Sequence, residues 1–174
     1  AKDGNYYSGY DRMGVSVRYI NAPDGLKVAN YNNGISLSWN KVSGADKYNV
    51  YRKNGDDWQL VGVAATNRFV DTKIEDGTKY TYTVKAFSGY SVSAYNYAGV
   101  SFDYIKAPTI KRVSSYVDPA DNKSGMKIEW SANNKNITGY YVYRMDGKTW
   151  KYLGRTTSTT YIDKTAISGQ TNTY

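Results

Sequence analysis

The sequence predicts an all-β protein made of tandem β-sandwiches, and three observations lead to that prediction. Among 174 residues there are 20 Tyr, while Glu occurs only at positions 75 and 129; this composition favours strands over helices. Short stretches alternate apolar and polar side chains, as in residues 35–39 and 48–51. Turn signals with Gly, Asn or Asp recur about every ten residues, which is typical of a sandwich.

The stretch that organises the chain is a predicted hairpin at residues 34–53, GISLSWNKVSGADKYNVYRK. Each of its two strands is apolar on one face, so a second sheet must cover that face. The turns flanking it are Asn32-Asn33-Gly34 and Asn54-Gly55-Asp56. From residue 23 onward we expect about seven short strands. They lie near residues 26–28, 35–39, 48–51, 58–61, 69–71, 80–87 and 91–105.

The hairpin occurs a second time at residues 125–144, GMKIEWSANNKNITGYYVYR. The offset is 91 at the tryptophans (130 − 39) and 92 at the tyrosines (143 − 51). Residues 1–22 align without a gap on residues 86–107, at an offset of 85 (86 − 1). We therefore predict a repeat array. Residues 1–22 would be the last strand of a preceding repeat, 23–107 a complete domain, and 108–174 a second domain truncated in its sixth strand.

Composition excludes several kinds of chemistry. Cys and His are both absent, which removes thiolate or imidazole metal ligands and every His-based nucleophile pair. The two Glu stand at nonmatching positions of different repeats, so no glycosidase acid pair is expected. We predict no enzyme, no cofactor and no metal site. Residues 54–57 and 118–122 carry oxygens that calcium could use, but both lack the acidic loop ending in Glu and are interpreted as turns.

The net charge of +8, from 23 Lys and Arg against 15 Asp and Glu, is spread without a dense basic run. Nucleic-acid modules usually concentrate charge on one face, so we expect no nucleic-acid partner. No apolar run is long enough for a membrane span, and no signal peptide opens the sequence. The chain is then either intracellular or an interior piece of an exported protein.

The motifs resemble tandem fibronectin type III-like modules of Gram-positive bacterial surface and secreted proteins. The marks are the Trp of ISLSW and KIEW, the Tyr of KYNVYRK and GYYVYRM, and the phrase D-x-x-(I/A)-x-x-G before the sixth strand. This resemblance implies immunoglobulin-like sandwiches and an extracellular, cell-surface or secreted location. It also implies that Tyr80, three residues after Gly77, bonds back across a corner. The matching residue after Gly169 is Asn172, so the second corner should be weaker or built differently.

Most aromatic residues are expected in the core, because they alternate with polar neighbours. These are Trp39, Trp130, Tyr48, Tyr140, Tyr80 and Tyr82. A second group lies among Ser, Asn, Gly and Asp, the composition of adaptable binding loops. Its members, the candidate ligand-binding residues, are Tyr90, Tyr95, Tyr97, Tyr6, Tyr7 and Tyr10. The alternative is that they form a Tyr-rich edge that contacts an adjoining repeat.

Two roles remain open for such a chain. One is an adhesin segment that binds a host or matrix ligand, either a glycan or a host protein such as an immunoglobulin. The other is a structural stalk that contacts only neighbouring repeats of the same protein. A further hypothesis is strand complementation, in which Val15, Val17 and Tyr19 complete the last domain of another chain or of the same chain. Its alternative is that residues 1–174 belong to a longer continuous array.

Overall fold

The computed structural model describes residues 2–9, 12–132 and 137–174. All regular elements in these ranges are β-strands, and none of the described residues forms a helix with the length and apolarity to cross a bilayer. The strands before residue 72 are β1 (Lys2–Asp3), β2 (Tyr6–Tyr7), β3 (Lys27–Tyr31), β4 (Gly34–Ser38), β5 (Lys47–Asn54), β6 (Asp57–Ala64) and β7 (Arg68–Asp71). The later ones are β8 (Thr78–Ser88), β9 (Ser91–Val92), β10 (Val100–Tyr104), β11 (Ile110–Val117), β12 (Ser124–Trp130), β13 (Tyr140–Asp146), β14 (Thr149–Thr156) and β15 (Thr160–Asp163).

The chain forms two compact units. The second contains Asp103–Tyr174 with two short stretches, Asn30–Ile35 and Thr72–Lys79, and the first contains most of the described residues before Asp103. These borders are not those expected from the repeats, so the domain boundaries at residues 23 and 108 stay a prediction. We call residues 23–107 the first repeat and residues 108–174 the second repeat; these names refer to the sequence and not to the two compact units.

The first repeat contains two sheets. One has the order β3-β4-β7, and the other has the order β10-β8-β5-β6 with β9 paired to β8. Between them the buried Trp39 ring meets the Tyr48 ring edge-on, with centroids 5.3 Å apart. The Tyr48 hydroxyl also accepts a hydrogen bond from the Val42 amide at 2.9 Å. This is a fibronectin type III-like β-sandwich, and the predicted fold class is confirmed.

The register between β5 and β8 decides which side chains face the core. Tyr48 lies opposite Ala86 and Val50 opposite Val84, and these four side chains are buried. The alternate pairs, Tyr51 with Thr83 and Asn49 with Lys85, therefore point to the outer face of the sheet.

The second repeat has the same pattern of pairing as far as its described residues extend. One sheet has the order β11-β12-β15, and β13 pairs with β14. The Trp130 and Tyr140 rings meet edge-on at 5.2 Å, as their counterparts do in the first repeat. Trp130 is 7% exposed and Trp39 3%, so the prediction that both are buried at equivalent places is confirmed.

Two predicted strands differ from the structure. Residues 15–19, expected as a final strand, lie outside any strand, so that prediction is wrong. In the first repeat the matching strand β10 is held by β8, and no counterpart of β8 pairs with residues 14–20 in the described part of the chain. The expected strand at 91–105 is divided into β9 and β10, because the segment between them folds across the outer face of the sheet.

A buried ionic and hydroxyl cluster joins the sheets in both repeats. Arg52 Nη1 donates to Asp71 Oδ2 at 2.7 Å, and the Tyr82 hydroxyl donates to the same oxygen at 3.0 Å. At an offset of 92 (163 − 71), Arg144 and Tyr174 donate to Asp163 Oδ2 at 2.5 Å and 2.9 Å. Burial raises the pKa of Asp163, but hydrogen bonds from Thr165, Tyr174 and Arg144 outweigh it and keep that pKa below its usual range.

The corner of the second repeat is built differently from that of the first, as expected. Tyr80 is half-buried, with the Arg52 guanidinium carbon 5.0 Å from its ring centre. At the matching place the Asn172 amide group donates to the Ile167 carbonyl at 3.0 Å and accepts from the Ile167 amide at 3.2 Å. A side-chain amide thus closes the corner where the first repeat uses a ring.

Replacing Trp39 tests the core. Trp39→Ala should lower the free energy of unfolding by about 3–5 kcal/mol, the usual cost of deleting a large buried aromatic ring. Trp39→Phe should cost less, since Phe keeps a ring against Tyr48 and removes an indole N–H that has no hydrogen-bond partner among the described residues. Urea denaturation measures both variants, and an unchanged midpoint for Trp39→Ala would contradict the assignment.

Tyr174 provides a test at alkaline pH. Burial and the hydrogen bond to Asp163 raise the pKa of Tyr174 to about 12, above the ordinary value of about 10. Because the folded state holds this proton more tightly, its contribution to stability is complete below pH about 10 and is lost as pH rises through about 12. Urea unfolding across this range should show a smaller alkaline loss for Tyr174→Phe than for the wild type. Tyr31→Phe, at an exposed tyrosine, should leave the profile unchanged; equal alkaline losses in the wild type and Tyr174→Phe would refute the prediction.

Candidate functional site

The outer face of the sheet β10-β8-β5-β6 carries a cluster of aromatic rings and one lysine. We call it the aromatic face, and it consists of Tyr51, Trp58, Lys85, Tyr95 and Tyr97. Strands β5, β6 and β8 supply Tyr51, Trp58 and Lys85, while Tyr95 and Tyr97 lie between β9 and β10. Tyr51 and Lys85 point outward because their neighbours Val50 and Val84 are in the core. Trp58 lies opposite Lys53, which is two residues after Tyr51 and therefore on the same outer face.

The rings of the aromatic face form a continuous row. Trp58 meets Tyr95 edge-on with centroids 6.3 Å apart, and Tyr95 lies 6.1 Å from Tyr97 in a tilted arrangement. Trp58 and Tyr95 are half-buried, whereas the Tyr97 ring is 69% exposed. The row therefore has a packed base and an exposed end.

Lys85 lies between two of these rings. Its ammonium nitrogen is 4.4 Å from the centre of the Tyr95 ring and 5.4 Å from that of Tyr51. Each contact is a cation–π attraction, which holds the long side chain against the sheet. The positive charge consequently stands beside Tyr95, the ring that contacts Tyr97, where it adds hydrogen-bond donors to the aromatic face.

The segment from Ser93 to Gly99 is held on the sheet by its own polar groups. The buried Ser93 hydroxyl accepts from the Ala86 amide at 2.8 Å and donates to the Ala94 carbonyl at 2.7 Å. The Thr83 hydroxyl donates to the Asn96 carbonyl at 2.8 Å, and the Asn96 side chain accepts from the Ala98 amide at 3.1 Å. These bonds fix the backbone that presents Tyr95 and Tyr97.

Gly99 ends this segment where no larger residue fits. Its φ of +68° lies in the left-handed region, and a Cβ there would come 2.7 Å from the Trp58 ring and 2.8 Å from the Tyr82 carbonyl oxygen. Glycine thus lets the chain cross directly over Trp58.

The structure brings together only two of the six tyrosines predicted to bind a ligand. Tyr95 and Tyr97 are in ring contact; Tyr90 lies in the turn between β8 and β9 with its ring fully exposed, and the Tyr6 ring is also exposed. The side chain of Tyr7 and the whole of Tyr10 lie outside the described residues. Whether these tyrosines bind a ligand stays a prediction.

The sequence analysis did not identify Lys85 or Trp58 as site residues. The signal for Lys85 was available in the alternation of β8, since every second residue after Tyr82 is apolar and those between must face outward. The contact with Tyr95 was not available, because it depends on how the segment at 93–99 returns over the sheet.

The second repeat also exposes aromatic rings on its hairpin β13–β14. Tyr152 lies 6.0 Å from Tyr141 and 5.5 Å from Tyr143, and all three rings are exposed together with Trp150. Tyr143 and Trp150 correspond to Tyr51 and Trp58 at an offset of 92 (143 − 51).

In the loop at residues 118–122, whose oxygens calcium could use, two aspartates pair with a lysine from another part of the chain. Lys164 Nζ lies 2.5 Å from Asp118 Oδ2 and 3.5 Å from Asp121 Oδ2. This ion pair keeps the pKa of Asp118 below its usual range. Among the described residues, no group of three acidic side chains is arranged to hold a metal ion.

Comparison with known proteins gives partial matches. Residues 25–96 match the family described as GH85 endohexosaminidases, C-terminal domain. A poly(3-hydroxybutyrate) depolymerase of Ralstonia pickettii is 46% identical over 66 residues, covering 37% of this chain and 13% of that protein. Endoglucanase B of Cellulomonas fimi is 31% identical over 149 residues, covering 79% of this chain and 14% of that protein. The chain therefore spans only a small part of the length of these curated relatives.

Among solved structures, an Fn3-like protein from Clostridium thermocellum is 32% identical with a TM-score of 0.39. The alignment covers 44% of this chain and 88% of that protein.

Gly99→Ala should disturb the aromatic face. The left-handed backbone and the close Trp58 ring make the substitution destabilising, by about 1–2 kcal/mol for the backbone conformation alone. We expect a lower melting temperature and a red-shifted tryptophan emission, because Trp58 would be displaced from beneath Tyr95. Gly55→Ala is a matched control, since Gly55 has a similar φ of +61° but open space around its Cβ position. If both variants change stability and emission equally, the packing role of Gly99 is wrong.

Proposed function

We propose that this chain is a non-catalytic, extracellular binding region that holds a carbohydrate chain on the aromatic face of its first repeat. The observation that carries the proposal is the Tyr97 ring, 69% exposed and yet supported by Tyr95, which itself rests on Trp58. An exposed aromatic ring on a rigid base offers a large contact area at a small entropic cost. The apolar faces of sugar rings are suited to such stacking.

Lys85 complements the rings in this role. Sugars present hydroxyl oxygens around the edge of each ring, and an ammonium group donates hydrogen bonds to such oxygens. Because Lys85 is held by Tyr51 and Tyr95, little side-chain freedom is lost when a ligand binds. The face thus combines one exposed stacking ring with a preorganised donor.

A non-catalytic role is supported by the state of the acidic groups. Asp71 and Asp163 are bound to Arg52 and Arg144 inside the repeats, and Glu129 is paired with Lys127 at 2.9 Å. None of these carboxylates stands on the aromatic face, and the sequence has no His or Cys to supply a base or nucleophile.

The relatives support an accessory place within a larger protein. Two of them are named for degrading polymers, a poly(3-hydroxybutyrate) depolymerase and an endoglucanase, and this chain aligns with 13% and 14% of their lengths. A glucan polymer is too large to cross a cell membrane intact, and on that ground we place the chain outside the cell. We place the repeats as a tandem pair in such a protein, with neighbouring repeats as further contacts.

A structural spacer is the second candidate, and one observation favours it. Trp58, Tyr95, Lys85 and Tyr51 contact one another, so much of the aromatic face already stabilises the first repeat. In that case Tyr97 would be the exposed end of a packing cluster. Host proteins, immunoglobulins included, remain partners to be tested beside glycans.

Tyr97→Ser distinguishes these roles. Affinity electrophoresis and calorimetry should show binding of the wild-type chain to a panel of β-glucans, xylan, chitin oligosaccharides and mucin glycans. We expect Tyr97→Ser to weaken that binding about tenfold or more, equivalent to about 1.4 kcal/mol, without lowering the melting temperature. Tyr31→Ser, an exposed tyrosine on the opposite sheet, should bind as the wild type does. Equal affinities for the wild type and Tyr97→Ser would refute the site, binding to immunoglobulin alone would replace the ligand class, and no binding at all would favour the spacer.

A further inference from the structure

We infer that the hairpin β13–β14 of the second repeat carries a separate binding site for an acidic glycan, a sugar chain that contains hexuronate units. The inference goes beyond the site proposed on the first repeat and does not rest on it, because the two sites share no residue. The new site lies on the outer surface of the hairpin. We call this surface the tyrosine face, and it consists of Tyr141, Tyr143, Tyr152 and Arg155.

The register of the hairpin places these four side chains on one side. Tyr143 lies opposite Tyr152, and Tyr141 lies opposite Arg155. Val142, between the two tyrosines of β13, is buried in the core, so both pairs point away from it. The Tyr152 ring centre is 6.0 Å from that of Tyr141 and 5.5 Å from that of Tyr143. The three rings therefore form one platform.

The exposure of the tyrosine face is a property of the sandwich. In the first repeat, where β5 lies between β8 and β6, the counterparts of Tyr152 and Arg155 are Leu60 and Val63, at an offset of 92 (152 − 60). Leu60 is 49% exposed and Val63 is 55% exposed, and Tyr152 itself is 51% exposed. Exposure at these two positions of β14 therefore does not depend on which strand lies beside β13.

Arg155 supplies an anchored positive charge at one end of the platform. Its side chain is exposed, and Nη2 donates to the Thr138 carbonyl at 2.6 Å. This bond holds the guanidinium group beside Tyr141, so little side-chain freedom is lost when a ligand binds. The other N–H groups of a guanidinium form a planar fork, which matches the two oxygens of a carboxylate.

The acidic side chains of the second repeat leave this charge uncompensated on the tyrosine face. Four of them pair with lysines or with the buried Arg144. The remaining one, Asp146, lies three residues after Tyr143 in β13, and alternation turns it to the opposite side of the strand. An anionic ligand is consequently favoured over a neutral one. The four paired residues are Asp118, Asp121, Glu129 and Asp163.

A hexuronate unit fits both parts of the site. One face of its sugar ring is apolar and can stack on a tyrosine ring, while its carboxylate lies at the ring edge, where a guanidinium group can bind it. A single-stranded nucleic acid would also stack, but its phosphates call for a row of cations. Among the described residues the tyrosine face holds one cation, Arg155, which favours a sparsely charged sugar chain.

The first repeat provides matched substitutions for testing this site. Leu60 and Val63 occupy the places of Tyr152 and Arg155 in the same type of hairpin. Tyr152→Leu and Arg155→Val therefore introduce side chains that this fold accepts at these positions. We expect neither variant to lower the melting temperature, because both side chains are exposed.

Calorimetry on the whole chain tests the inference with an oligogalacturonate and with its methyl ester, which has the same sugar rings without the charges. We expect the acid to bind at least about tenfold more tightly than the ester, since a hydrogen bond to a charged group is lost in the ester. Sodium chloride should weaken binding of the acid. Arg155→Val should lower affinity for the acid about tenfold and leave the ester unchanged. Tyr152→Leu should weaken both ligands, because both stack.

Two further variants make the result specific. Arg155→Lys keeps the charge but not the fork, so its affinity for the acid should fall between those of the wild type and Arg155→Val. Tyr97→Ser, on the first repeat, should bind the acid as the wild type does, which separates this inference from the proposed function. No binding of the acid, equal binding of acid and ester, or full affinity in Arg155→Val would overturn the inference. Loss of binding in Tyr97→Ser would assign the acid to the first repeat, and tighter binding of an oligothymidylate would replace the glycan by nucleic acid; both would overturn it too.

Discussion

The structure depends on a carboxylate that joins the two sheets. Asp71 accepts hydrogen bonds from Arg52 and Tyr82, so β7 of one sheet is bonded to β5 and β8 of the other. Burying a charge is costly unless it is paired and fully hydrogen-bonded, and here one oxygen takes both donors. Any slip of a strand by one residue would leave the Asp71 carboxylate without partners, so the cluster fixes the register of the strands.

That register also creates the candidate binding surface. With Tyr82 turned inward to Asp71, the next outward residues of β8 are Thr83 and Lys85. Thr83 holds the Asn96 carbonyl and Lys85 meets the Tyr95 ring. The segment that presents Tyr97 is therefore positioned by β8, the same strand that carries Tyr82 into the core. Because the core and the aromatic face are built on opposite sides of this strand, a shift of its core side chains would also displace the aromatic face.

The same cluster recurs in the second repeat. Arg144 and Tyr174 both donate to Asp163, and the Met145 amide donates to the Thr173 carbonyl. The residues before Tyr174 therefore lie beside β13, as β8 lies beside β5 in the first repeat.

The sequence by itself determined the all-β fold, the positions of most strands and the burial of Trp39 and Trp130, because alternation and turn residues act locally. It also identified the offset of 92 at which Arg144, Asp163 and Tyr174 correspond to Arg52, Asp71 and Tyr82. It did not predict the hydrogen bonds to the aspartate in either repeat. Only the tertiary structure decided that Tyr95 packs on Trp58, that Tyr97 is exposed, and that residues 15–19 are not a strand. Each of these three features depends on a partner that is distant in the sequence. A ring or a strand edge is buried or exposed according to what packs over it, and the residues next to it in the sequence do not determine that packing.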